Sequence, residues 1–240
     1  MGSKIGCVNY LRAGSVTADP SLAGFPASNA LDGRTSTKAG YAAGTRTISF
    51  SFGSGTCGYM GIGKNNIPAG STISVYTNGA IRGTRTVTRS KPYMFVFSDV
   101  TSTSCSFVIN SASDFFISDF ACGSVIDIPR YMSVGFAPPR FSDEDEIVTN
   151  TTVSGELNGI SVAEKPKRTT ISIKKVHYSW FDSNWQTFLD NSKRYPFYFL
   201  YAPEDRPDEA FYCWHVQKVG DVKYSARTFQ DVDLSVEGFA

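Results

Sequence analysis

Two histidines, five cysteines and 22 acidic residues bound the chemistry open to this 240-residue chain. His177 and His215 both stand in strand-like runs, beside Val176 and Tyr178 and beside Trp214 and Val216. Cys213 and His215 are two apart, so on a strand they share a face and a thiolate–imidazole contact is available. No protease-like signature surrounds them, and packing or interface roles are the expectation. The serine-rich segments hold no G-x-S-x-G elbow. A glycosidase needs two juxtaposed carboxylates, and residues 1–120 offer only Asp19, Asp32, Asp99, Asp114 and Asp119. No catalytic residue is assigned. Cys7, Cys57, Cys105, Cys122 and Cys213 are odd in number and lack CxxC spacing. They read as reduced, mostly buried thiols made in a cytosol.

The densest cationic stretch runs from Arg82 to Lys91. On a strand, Arg85 and Arg89 share a face and Arg82 takes the other. It reads as an edge strand guarded by charge, or as a contact for an acidic subunit surface or an anionic glycan. Asp143 to Glu146 form an acidic run without the alternating ligands and glycine of a calcium loop, so a solvated loop is expected. A net charge of +1 argues against nucleic acid as a ligand. No apolar run approaches the ~18 residues of a spanning helix, so no membrane insertion is expected. Residues 1–14, with one Lys and no apolar core, are no secretory signal, and the Asn150-Thr151-Thr152 sequon then carries no information.

These residues must be positioned mainly by strands. Ile48, Phe50 and Phe52 alternate with Thr47, Ser49 and Ser51, the period of a half-buried strand. Short strands are also expected at 59–63, 72–76, 84–88, 93–97, 105–109 and 115–120, with Asn78-Gly79 as a turn. Prolines at 129 and 138–139 mark a boundary, giving modules 1–128 and 129–240. In the second, a strand at 170–178 precedes a helix at 182–191, with Ser183 and Gln186 as a capping box. Strands follow at 197–201, 211–216 and 232–236. Residues 197–201 are apolar without alternation, as if one face met the core and the other a second copy. Trp180, Trp185 and Trp214, with Phe197, Phe199 and Tyr201, are therefore the expected oligomer interface. The loop 203–209, with four acidic residues and one Arg, would form its charged rim.

Residues 26–55 resemble the front half of a discoidin-type, galactose-binding-like domain. Asn29-Ala30-Leu31-Asp32-Gly33 matches its N-A-x-D-G stretch, and Phe116 to Gly123 resemble its closing strand. The family's Trp after the Ser-Thr pair is missing, since Ser36-Thr37 is followed by Lys38-Ala39-Gly40-Tyr41. The resemblance implies an eight-strand jelly roll, and a calcium ion at Asp32, Thr37 and Asp119 as its only candidate cofactor. The second module is similar to the ends of phage tail proteins, in Trp185-Gln186-Thr187-Phe188, the aromatic strand at 195–202 and Val232 to Gly238. The fold expected is mainly β: a jelly-roll sandwich plus a tail-tube-like β-barrel or sandwich with one helix. The function implied is that of a non-enzymatic structural component of a bacteriophage tail tip or baseplate. It would be synthesised in the host bacterial cytoplasm and carried in the virion. Its partners would be itself, in a ring, trimer or hexamer, and other tail proteins. The alternative is a carbohydrate-binding module for a host-surface glycan.

Overall fold

The computed structural model describes residues 2–130, 132, 136–139, 146–163 and 165–240. The first half contributes β1 (Lys4–Gly6), β2 (Ser15–Ala18), β3 (Ala39–Tyr41), β4 (Gly44–Ile62) and β5 (Thr72–Thr77). It continues with β6 (Ala80–Thr86), β7 (Tyr93–Ser111), β8 (Phe115–Ile117), β9 (Phe120–Gly123) and β10 (Val125–Asp127). The second half adds β11 (Glu146–Thr151), β12 (Leu157–Ala163) and β13 (Lys167–His177), then helix α1 (Tyr178–Ser192). Last come β14 (Phe197–Leu200), β15 (Ala210–His215), β16 (Lys223–Ala226) and β17 (Phe229–Phe239). The chain is mainly β, and all strand pairs among the described residues are antiparallel.

The first half folds as a jelly-roll sandwich. One sheet has the order β2-β4-β7-β5-β6 with β9 on β4, and β3 pairs with β8. Two strands of 19 residues, β4 and β7, form its spine. Shorter strands were expected there, and β4 contains Gly53, Gly55 and Gly58, small residues of the kind that turns use. Bulges at Ser51/Gly55 and Cys57/Tyr59 absorb them instead, and the pairing continues. The inward residues build a core in which Phe50, Phe107 and Phe120 meet ring to ring. Asn78 and Gly79, both at positive φ, make the two-residue turn between β5 and β6.

The second sheet runs β10-β1-β14-β15-β17-β13, with β16 beside β17. Its first two strands come from residues 4–6 and 125–127, so it crosses the division drawn at residue 128. Alternation gives it two working faces. Phe197, Phe199, Phe211, Cys213, Leu234 and Val236 pack with Phe181 and Phe188 of α1. Tyr198, Leu200, Ala210, Tyr212 and Phe239 pack on Tyr59, Met94 and Ala121 of the sandwich. The second apolar face of β14, read from sequence as a contact with another copy, is thus covered by the chain's own first half. Glycines make that seam close. The Tyr198 ring lies so near Gly61, and the Tyr59 ring so near Gly6, that a Cβ would stand 2.7 and 2.6 Å from ring atoms.

Helix α1 starts earlier than its side-chain pattern indicates. His177 is extended and its Nδ1 accepts from the Ser179 amide, so an imidazole fills the role expected of Ser183. Ser183 instead donates to the Ser179 carbonyl one turn back.

Candidate functional site

A cleft of about 460 Å³ opens where the sandwich meets the end of α1. Its walls are Gly33–Ser36 from the sandwich, Ser192–Pro196 after the helix, and Trp214 and His215 from β15. The first wall is fixed by Asp32, whose Oδ1 accepts from the Arg34 amide at 2.8 Å and whose Oδ2 accepts from Thr37 Oγ1 at 2.7 Å. Gly33 has a φ of +75°, and a Cβ there would lie 2.4 Å from an Arg12 guanidinium nitrogen. That arginine ties the walls together. It stacks on the Tyr195 ring at 4.1 Å, donates to the Leu31 carbonyl, and pairs with Asp119 at 3.2 Å.

Asp119 is fully buried behind the cleft and also accepts from the Tyr198 hydroxyl at 3.0 Å. Burial pushes its carboxyl up to about 7, against the pull of Arg12 and Tyr198. The calcium set is therefore divided. Asp32 and Thr37 bond to each other, while Asp119 is held by a guanidinium that reaches from the Leu31 carbonyl. Among the described residues, no group of three His, Cys, Asp or Glu could hold a metal ion.

His215 packs between Phe188 and Phe197 and shares a hydrogen bond of 3.0 Å with Ser192 Oγ. Burial, then the Lys193 charge, lowers its pKa to about 4, so the ring is neutral near pH 7. Its Nδ1 is buried and has no partner among the described residues. A Ser–His contact is part of a nucleophile–base arrangement, but among the described residues no carboxylate bonds to this imidazole. Cys213 makes no bond to it among the described residues. Burial holds that thiol well above its ordinary pKa. All five cysteines are free and buried, with Cys57 and Cys122 3.4 Å apart at sulfur.

The other expected sites lie elsewhere. Phe197 and Phe199 are wholly inside the helix-side core, with Trp180 and Trp185 packed at its margin. Trp180 Nε1 donates to the Asp127 carbonyl at 2.6 Å, and Tyr201 bonds to Glu209. Of the expected interface set, only Trp214 lines the cleft. The basic stretch is on β6, the edge of its sheet. A bulge opposite Val75/Tyr76 shifts the pleat, so Arg82 and Arg85 both reach β7 rings, Phe97 at 6.0 Å and Phe95 at 4.6 Å. Arg89 lies beyond the strand and its carbonyl accepts from Tyr93. Residues 143–145 of the acidic run lie outside the described residues. Sequence reading missed Arg12, Arg34, Lys193, Arg194 and Tyr195. The one signal near them was the Asn29–Gly33 stretch, read for a metal.

No protein-family model and no curated protein matches this chain. Among solved structures, a fucosidase from Ruminococcus gnavus in complex with fucose is 14% identical over 49% of this chain, with a TM-score of 0.42. The match spans 26% of that enzyme's chain. The family 32 carbohydrate-binding module of Clostridium perfringens NanJ, solved with galactose, is 12% identical over 50% of this chain and 98% of its own, at a TM-score of 0.43. A second Clostridium perfringens module, solved with GalNAc-β-1,3-galactose, is 13% identical over 49% of this chain and its full length, at 0.38.

Proposed function

We propose that this chain is a non-catalytic saccharide-binding protein. The observation that carries the reading is the cleft, where two aromatic side chains, Tyr195 and Trp214, stand among the hydroxyls of Thr35, Ser36 and Ser192. A sugar presents an apolar ring face and a rim of hydroxyls, and concave sites pair aromatic surface with a few oriented polar groups. The test is a glycan array on the full chain, followed by calorimetry on the hits. Replacing Trp214 with alanine is expected to weaken binding by about 10–30-fold, the scale of a central aromatic contact. An array without a single hit, from protein shown to be folded, overturns the reading.

A second reading, a structural subunit of a phage tail tip, is supported by a different observation. The ribbon β11–β12 pairs with no other strand among the described residues. Register puts Ile147 opposite Val162, Thr149 opposite Ile160 and Thr151 opposite Leu157, so one face is apolar. Its four large side chains are each 59–61% exposed. A two-stranded ribbon is marginal alone, and an apolar face of this kind marks a contact. On this reading the full chain is oligomeric at tens of micromolar, and lysines at positions 147 and 160 dissociate it. Light scattering that finds a monomer at that concentration defeats self-driven assembly.

A further inference from the structure

We infer that the saccharide taken by the cleft is acidic, held at a carboxylate or sulfate by Arg34, Lys193 and Arg194. This rests on the saccharide reading above and adds the charge of the ligand. Three cations line one opening, and no Asp or Glu lines it with them. None of the three has an ion-pair partner among the described residues. Elsewhere the chain pairs its cations readily: Arg12 with Asp119 at 3.2 Å, Lys91 with Asp208 at 2.7 Å, Arg168 with Glu237 at 2.9 Å and Lys174 with Asp233 at 2.7 Å. With a net charge of only +1, the cluster is no by-product of a basic protein.

The bland account is that Lys193 and Arg194 complement the C-terminal end of α1, where helix carbonyls carry partial negative charge. It leaves Arg34 unexplained. That residue comes from the sandwich, on a loop whose backbone Asp32 holds in place. Like charges gathered around one opening repel. An anion seated between the two walls removes that repulsion and gains charge-assisted hydrogen bonds, with the Arg34 guanidinium able to bind it bidentately. Trp214 and Tyr195 then meet the sugar ring, so recognition needs both the ring and the charge.

The test pairs each acidic glycan with its neutral form on the same skeleton. Uronate oligosaccharides are set against carboxyl-reduced counterparts, and sulfated chains against desulfated ones, with the full chain titrated at low and high salt. The acidic member is expected to bind at least about 10-fold tighter at low salt, with the gap narrowing as salt screens it. Arg34→Gln and Lys193→Gln should each cost about 2–5-fold on the acidic member and narrow its gap to the neutral one. Both side chains are exposed and carry no ion pair among the described residues, so both variants should fold. Which pair shows the gap identifies carboxylate or sulfate. Equal binding of the two members, unmoved by Arg34→Gln, overturns the charge inference and leaves the saccharide reading standing. No binding to either member across the array overturns both.

Discussion

Replacing Asp119 with alanine is expected to destabilise the chain by about 3–5 kcal/mol at pH 8, the usual cost of removing one partner of a buried ion pair. The carboxylate has no exposure, and the Arg12 side chain it neutralises is only 12% exposed. Its loss leaves a guanidinium uncompensated and the Tyr198 hydroxyl without its acceptor. The loosening should spread, because Arg12 also holds Tyr195 and the Leu31 carbonyl. Denaturant titration reads the effect, and a loss under 1 kcal/mol would show the pair to be dispensable.

The same residue sets a pH dependence. Its folded pKa is raised from 3.8 to about 7, so between those values the folded state keeps a proton that the unfolded state has released. Stability from this group is therefore greatest below about pH 4 and declines as pH rises to about 7, on the order of 1 kcal/mol per unit. Asp119→Asn should flatten that segment of the profile. An unchanged slope in the variant would assign the dependence to another group.

Phe107→Ala should cost about 3–5 kcal/mol by opening a cavity inside the sandwich core. Phe107 is fully buried on β7, opposite Ile48 of β4 and Val75 of β5, and its ring meets those of Phe120 and Phe50 at 4.7 and 6.0 Å. For a chain of this size the midpoint should fall by roughly 10 °C. Ile81→Ala is the control. It lies on the edge strand at 57% exposure and should change stability by no more than about 0.5 kcal/mol. A drop of less than 3 °C for Phe107→Ala would mean that the core repacks around the gap.

Alternation made much of the fold readable. Ile48, Phe50 and Phe52 and the run 232–236 occur as the strands their period indicates, because each packs one face on a core. The length of β4 and β7 was hidden, since a bulged strand and a turn use the same small residues. Helix α1 carries Trp185, Phe188 and Leu189 at helical spacing, which makes its body legible, but its start depends on a histidine cap outside the usual capping set. The seam was hidden too. Nothing local marks Gly61 as the floor beneath Tyr198, a residue that reaches it only through tertiary packing. The cleft was least accessible of all, because its walls come from residues 33–36, 192–196 and 214–215. No window of sequence holds more than one of them.

The place of β1 in the second sheet ties this protein's assembly to the clock of synthesis. Lys4–Gly6 pair on one side with residues 125–127 and on the other with residues 198–200. A ribosome adding 5–20 residues per second takes roughly 10–40 s to travel from β1 to β14. Once residue 127 has been made, the sandwich has all its strands and β10 can join β1, but until β14 emerges the far edge of β1 has no mate. The nascent chain thus carries a two-stranded starter with one open hydrogen-bonding edge, onto which β14 and then the remaining strands must be laid. The second sheet is copied onto a template that the first half has already set down, and the pairings that close it are the slow, long-range kind.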